Sequence, residues 1–346
     1  MFNVASPSAR LINTGIFHDD KGILIGPSKY VTEHASRLVM SGAFSDADGA
    51  WFLAQQLESI QAQVLPVKYQ DLKWRELFPV DTSTPAGADA YGYYTSDMAG
   101  QAKIINTASK DIPWSTVARG KVLQQSQWIA TKFGYSYGEI EAAKYTGEPL
   151  TQAHANSARR AIEELLNTLA WDGNTAAAIT GIFNNSDIVT ATVPDGAGGD
   201  SEWTTKTPDE IVADINKAFT DPWVLSKEKE RPDTLLLPTA QYAYISNTRL
   251  TETSQTIISY IVAQSPWVNS LNNIISVPLL TGKGTAGADV LIAYKRDPNN
   301  IKAKLLQDVT FHPVQQNGLN FETIVTAKSG GIELPYPVSF YILEGI

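Results

Sequence analysis

Residues 133–185 read FGYSYGEIEAAKYTGEPLTQAHANSARRAIEELLNTLAWDGNTAAAITGIFNN, and this stretch decides the fold. Pro149 and Leu150 precede Thr151, which is placed as N-cap of a helix running to about Trp171, with Gly173 as its stop. Ala155, Ala158, Ile162, Leu165, Leu166 and Leu169 recur at three- and four-residue spacing and form one apolar stripe. Arg159 stands four residues before Glu163, and Arg160 four before Glu164, so the opposite face carries charge pairs. Each pair stabilises an isolated helix by only about 0.2–0.5 kcal/mol. A helix of this length spans roughly 30 Å. After it comes a short turn, Gly181-Ile182-Phe183-Asn184-Asn185, and nothing in the stretch has a catalytic pattern.

The chain around it has 346 residues, enough for one large or two moderate domains with ample core. Hydrophobic residues make up 43%, which marks a globular chain, while charged residues are only 18%, below the usual ~25%. Few charges on so large a chain suit a surface covered by other subunits. The net charge of −9, from 27 basic and 36 acidic residues, argues against gripping nucleic acid through a basic surface. The densest charged run, Lys227 to Arg231, alternates in sign and reads as a solvated turn. The absence of cysteine excludes disulfides, thiolate metal sites and cysteine nucleophiles, and fits folding in the cytoplasm. Met1 to Arg10 lacks the basic start and apolar run of a signal peptide, and no segment approaches a membrane span.

Residues 1–45 are irregular and read as an extended arm. A helix is expected from Asp48 to about Val64, with Leu53, Leu57, Ile60 and Val64 on one face, and residues 67–80 read as extended. Residues 88–130 are polar and aromatic, and the alternation of Ile112, Trp114 and Thr116, then of Val122, Gln124, Ser126 and Trp128, predicts a long two-stranded excursion. An isolated hairpin is marginal in water, so one of this length calls for a surface to lie on. Beyond the Gly-rich loop 195–199, Thr207 and Glu210 form a capping box with Pro208 at the first helical position. A buried strand at Leu235–Leu237, a helix over Ser254–Ala263, and strands at Ile274–Leu280 and Val290–Tyr294 make an α/β subdomain over about 207–300. The remaining residues return to strands, with a hairpin turn at Asn317-Gly318 and a last strand through Val338, Phe340 and Ile342.

Residues 282–287 match the dinucleotide pattern G-x-G-x-x-G, but residues 288–294 after it read as strand. Without a helix N-terminus there is no dipole to hold a pyrophosphate, so the motif reads as a hairpin loop and no cofactor is expected. His18, His34, His154 and His312 are dispersed, with no pair at ligand spacing, and Asp46 to Gly49 lacks the other positions of a calcium loop. No metal site is expected. No serine sits in a nucleophile elbow, and the sequon Asn184-Asn185-Ser186 means little without a secretory signal.

The order arm, helix, long hairpin, long helix, Gly-Ile-Phe-Asn turn, α/β subdomain and returning strands resembles the major capsid proteins of tailed phages, the Hong Kong 97 fold, and their relatives the encapsulins. The resemblance rests on residues 133–140, 158–167, 181–185 and 234–239 and on the C-terminal strands, and covers most of the chain from about residue 48. It implies an α+β fold: an N-arm over 1–47, and an extended β-hairpin loop over 88–130 that overlaps a neighbouring subunit. A peripheral domain would take 48–87, 131–206 with spine helix 151–172, and return strands 301–346. An axial domain over 207–300 would meet its copies around five- and six-fold axes. The implied function is self-assembly into pentamers and hexamers of an icosahedral shell around double-stranded DNA, as a structural protein of the virion assembled in the host bacterial cytoplasm. An encapsulin-like shell around cargo enzyme is the alternative, and a nucleotide-dependent enzyme the third reading. Scaffolding, portal and decoration proteins are implied partners. The charged scaffolding segment many relatives carry is not recognisable in 1–47, and the loop lysines Lys103, Lys110 and Lys121 stand where some relatives cross-link. Candidates for contact between subunits are Lys110, Trp114, Arg119 and Lys121 in the loop and Arg159, Arg160, Glu163 and Glu164 on the helix.

Overall fold

A computed structural model of the chain describes residues 69–346, apart from 105, 108, 109, 111, 147–149 and 252, together with three short strands nearer the N-terminus. Those strands, β1 (Arg10–Leu11), β2 (Phe17–His18) and β3 (Leu24–Ile25), form a small antiparallel meander within the expected arm. The helix expected over 48–64 lies outside the described residues. The segment expected to be extended over 67–80 contains a one-turn helix, α1 (Trp74–Leu77), which buries Trp74 and Leu77.

The long helix is present with a second helix before it. Ser136 and Glu139 cap α2 (Tyr137–Thr146) reciprocally: the Ser136 amide donates to Glu139 Oε2 at 2.7 Å, and the Glu139 amide to Ser136 Oγ at 3.3 Å. Helix α3 (Leu150–Trp171) begins one residue before the expected cap, so Thr151 lies inside its first turn. Ala158, Ile162, Leu166 and Leu169 are buried as the stripe requires, but Leu165 is 44% exposed. At about 100° per residue it stands on the margin of that stripe.

The end of α3 explains the Gly-Ile-Phe-Asn turn. Gly173 adopts φ +63°, and its amide reaches Leu169 O; the Ile182 amide donates to Ala170 O at 3.1 Å and the Phe183 amide to Trp171 O at 2.8 Å. The turn therefore supplies donors to carbonyls that a helix terminus leaves unpaired. Asn184 holds the turn closed, accepting from the Gly181 amide and donating to Ile179 O. A Cβ on Gly181 would stand 2.3 Å from Gly173 N, so backbone meets backbone here.

Two sheets flank this helix end. The first contains β4 (Val80–Asp81), β7 (Gln127–Ser136), β12 (Lys302–Phe311), β13 (Gln315–Asn317) and β14 (Asn320–Glu333). β14 is central: β7 runs antiparallel along one edge, Asn320↔Ser136 through Ser329↔Gln127, and β12 and β13 take the other. Gly318, at φ +64°, makes the expected turn between β13 and β14, and α3 packs on β7 and β14.

The second sheet has the order β10-β9-β11-β15-β8, from β8 (Val189–Thr192), β9 (Thr234–Leu237), β10 (Ile274–Ser276), β11 (Val290–Tyr294) and β15 (Phe340–Glu344). Its side chains alternate between two cores, as the two-residue strand period requires. Leu236, Val290, Ile292, Tyr294, Phe340 and Ile342 face the core shared with α3 and the first sheet. Leu235, Leu237, Leu291, Ala293, Tyr341 and Leu343 face the helices α4 (Pro208–Leu225), α5 (Thr239–Asn247) and α6 (Ile257–Gln264).

The capping box of α4 forms as expected, and Thr256 caps α6, which starts three residues later than the expected Ser254. Helix α5 was not anticipated; it follows Pro238 directly. β10 is shorter than expected because Pro278 opens a 3-10 turn. β10 and β11 lie on opposite sides of β9, so loop 282–287 is a crossover and not the expected hairpin loop. β15 begins at Phe340, with Val338 in a preceding 3-10 turn, and pairs with β11 and β8. The returning strands of 301–346 therefore divide between the two sheets.

Candidate assembly surface

β5 (Ala90–Ala99) and β6 (Thr116–Gln125) pair antiparallel from Ala90↔Gln125 to Ala99↔Thr116. Among the described residues neither pairs with any other strand. The excursion closes at Gln125, short of the expected residue 130, because β7 takes Trp128 into the first sheet. Directly paired residues share a face. Tyr94, Ser96 and Met98 thus lie beside Lys121, Arg119 and Val117, with Leu123 opposite Gly92 on the same side. This face carries two cations and no carboxylate, and the Lys121 ammonium sits 6.0 Å from the Tyr94 ring centroid. The opposite face carries Tyr93, Thr95, Asp97 and Val122. Tyr94 is 76% exposed, Met98 80% and Trp114 89%, and Ile104, Ile112, Val117 and Leu123 are exposed too. Lys110 is exposed in the connection between the strands. Apolar side chains this open on one projecting element mark an interaction site.

The root of the hairpin is built differently. Tyr91 is buried, and its hydroxyl donates to Gly330 O at 2.9 Å and bonds Gln124 Oε1 at 2.7 Å. Burial, with Glu333 nearby, pushes the Tyr91 hydroxyl well above its ordinary pKa. Lys328 on β14 is 1% exposed; its ammonium donates to Ala86 O at 3.0 Å and Asp89 Oδ1 at 3.3 Å and lies over the Trp128 ring. Beneath Tyr91, Lys304 bonds Asp81 at 2.6 Å and approaches Glu333 at 3.4 Å. Burial works to raise the Asp81 carboxyl, but Lys304 and Ser83 outweigh it and hold the group well below the usual carboxylate range. The sequence reading missed this root. Its signal is Gly330-Gly331 inside a strand, the mark of a close backbone approach.

On α3 the expected charge pairs form only in part. Arg160 bonds Glu164 at 2.7 Å. Glu163 instead receives Arg75 through both oxygens, at 2.7 and 3.2 Å, and the same guanidinium reaches Asp308 at 2.7 Å. Glu163 is therefore engaged within its own subunit, while Arg159 has no ion-pair partner among the described residues. Burial raises the Asp308 carboxyl, but Arg75, the Val309 amide and the more distant Arg159 together bring it below its ordinary pKa.

The loop 282–287 is tied down by neighbouring carboxylates. The Gly282 amide donates to Asp289 Oδ1, the Thr285 amide to Glu344 Oε2, and Lys283 pairs with Asp172 at 2.5 Å. The neighbouring cavity, about 590 Å³, is bordered by Asp200, Glu202 and Asp289, whose charge repels phosphates. Among the described residues no group of three His, Asp or Glu is placed to hold a metal ion.

Two sheets, a long helix capped by a Gly-Asn turn and a projecting hairpin form the architecture of a tailed-phage capsid subunit. The chain is similar in fold to the capsid of Myoviridae phage XM1, at 14% identity and TM-score 0.73, covering 85% of this chain and 98% of that one. It is similar also to chains of Microbacterium phage Oxtober96 (11% identity, TM-score 0.59, 86% and 99% covered) and Mycobacterium phage Bobi (14%, 0.55, 84% and 96%). No curated protein sequence matches it. The chain belongs to the major capsid protein family, whose model matches residues 100–346. It is a phage major capsid protein, a structural component of the virion capsid that assembles with copies of itself.

Proposed function

We propose that the chain forms the pentamers and hexamers of an icosahedral shell enclosing the double-stranded DNA genome of a tailed phage, with the hairpin Ala90–Gln125 laid on a neighbouring subunit. The observation that carries this is the hairpin face of Tyr94, Met98, Val117, Arg119 and Lys121, apolar and cationic yet exposed, with no other described strand upon it. Lys110 and Trp114 extend the same contact, and Arg159 and Glu164 are exposed charges of the helix that a neighbour could meet, Glu164 with Arg160 already bonded to it. The acidic balance of the chain fits a shell that encloses DNA without gripping it. The role is structural and not enzymatic, assembly takes place in the host bacterial cytoplasm, and scaffolding, portal and decoration proteins are the partners it implies. Electron microscopy of the purified protein tests the reading: closed shells are expected, and monomers or dimers persisting under all conditions overturn it.

A further inference from the structure

β14 carries two adjacent glycines, and a different element meets each. A Cβ on Gly330 would stand 2.2 Å from Tyr91 Cε1, and one on Gly331 would stand 2.3 Å from Thr180 O. Gly331 adopts φ +80°, and the amide of Ile332 donates to Thr180 O at 2.7 Å. Thr180 directly precedes the turn that caps α3, and it takes up the edge of β14 just beyond the last β7 pair at Ser329. The hairpin root and the end of the long helix therefore share a two-residue anchorage. Around it, Tyr91 binds Gly330 O and Lys328 binds Ala86 O and Asp89, so both bonds join the hairpin's first strand and its approach to β14. Ser126 closes the other side, with its amide on Asp89 O and its hydroxyl on Ala88 O.

The geometry points to Tyr91 and Lys328 as positioning residues: they set the angle at which the hairpin leaves the subunit, and Gly330-Gly331 ties that angle to the end of α3. Beyond the root the hairpin bonds no other strand among the described residues, so the direction taken at Tyr91 is carried outward along the continuous ladder from Ala90–Gln125 to Ala99–Thr116. Ser96 lies six residues from Ala90, about 20 Å along the strand, so a tilt of about 10° at the root moves it about 3–4 Å. The consequence for assembly rests on the reading that the hairpin lies on a neighbour; the angle itself does not.

The chain has no cysteine, so the pair Ser96→Cys and Ser157→Cys, both exposed, accepts spin labels on hairpin and helix alone. Pulsed dipolar spectroscopy on the full-length labelled subunit, diluted into unlabelled copies, gives the distance distribution between them. With Tyr91→Phe and Lys328→Met together, the distribution is expected to broaden or shift by at least about 3 Å. Lys328→Arg, which keeps the cation, is expected to leave it narrow. Circular dichroism confirms folding, and if the double variant does not fold, Tyr91→Phe alone, which removes one oxygen, is read by the same criterion. An unchanged distribution in the folded variant overturns the proposal. A changed distribution with normal yield and diameter of shells upholds the positioning role and instead refutes the contact between hairpin and neighbour.

Discussion

Replacing Trp114 by alanine separates a subunit's stability from its assembly. The side chain is 89% exposed, so its own subunit gains almost nothing from it. A tryptophan buries at most about 250 Å², so about 220 Å² remains for a neighbour to cover. At about 25 cal/mol per Å² that cover is worth about 5 kcal/mol before the costs of ordering and desolvation. Those costs leave on the order of 2–4 kcal/mol, the range of an aromatic hot spot. Trp114→Ala should therefore raise the subunit concentration at which shells appear by about 30- to 700-fold, while unfolding of the unassembled subunit changes by less than about 0.5 kcal/mol. Light scattering across a dilution series reads the first quantity, and urea unfolding the second. An unchanged threshold would mean that no neighbour covers the ring, and a destabilised subunit would mean that the ring is packed within its own chain; either result rules out Trp114 as a contact between subunits.

Further perturbations probe the body of the subunit. Arg75→Met leaves Glu163 and Asp308 without their guanidinium and should cost about 1–2 kcal/mol in urea unfolding. Because the Asp308 and Asp81 carboxyls are depressed on folding, the stability they contribute is present above the unfolded value of about 4 and is lost as pH falls through their folded values. Acid titration of Arg75→Met should therefore show a shallower loss than the parent. Gly181→Ala forces a Cβ against Gly173 N and Leu169 O and should cost more than about 2 kcal/mol in the same assay; a neutral result would contradict the backbone contact. Lys206 and Asp214 form a buried pair at 2.7 Å, with Trp203 Nε1 on the same oxygen. Lys206→Met and Asp214→Leu should each cost about 3–5 kcal/mol and the double variant less than either; additive losses would show that the two do not act as a pair.

Local physics made the body of the fold legible. The buried positions Ala158, Ile162, Leu166 and Leu169, the glycine stop and the Thr207–Glu210 box follow from residues a few positions apart, and each appears where the spacing places it. Pairing between distant segments was not legible. β15 reads as another returning strand, yet its alternation serves two cores at once, and nothing nearby says that β11 and β8 are its neighbours. Glu163 illustrates the same limit: Arg159 at helical spacing is the local candidate, but Arg75, 88 residues away, takes the carboxylate in both its oxygens. A two-stranded excursion carrying Lys110, Trp114, Arg119 and Lys121 could be read from alternation, but not its strands: Ile112 and Trp114 fall in the connection before β6, Trp128 lies in β7, and β5 shows no such signal. Its root could not, because Tyr91 and Lys328 meet only once β14 has found β7 and β12.

The claim that one subunit's hairpin is completed by another is tested most directly by electron cryomicroscopy of assembled particles, read at residues 94–123. Chain from a second copy is expected in contact with Tyr94, Met98, Trp114 and Val117, covering side chains that the single subunit leaves open. A closed shell in which those four side chains still face solvent would contradict it.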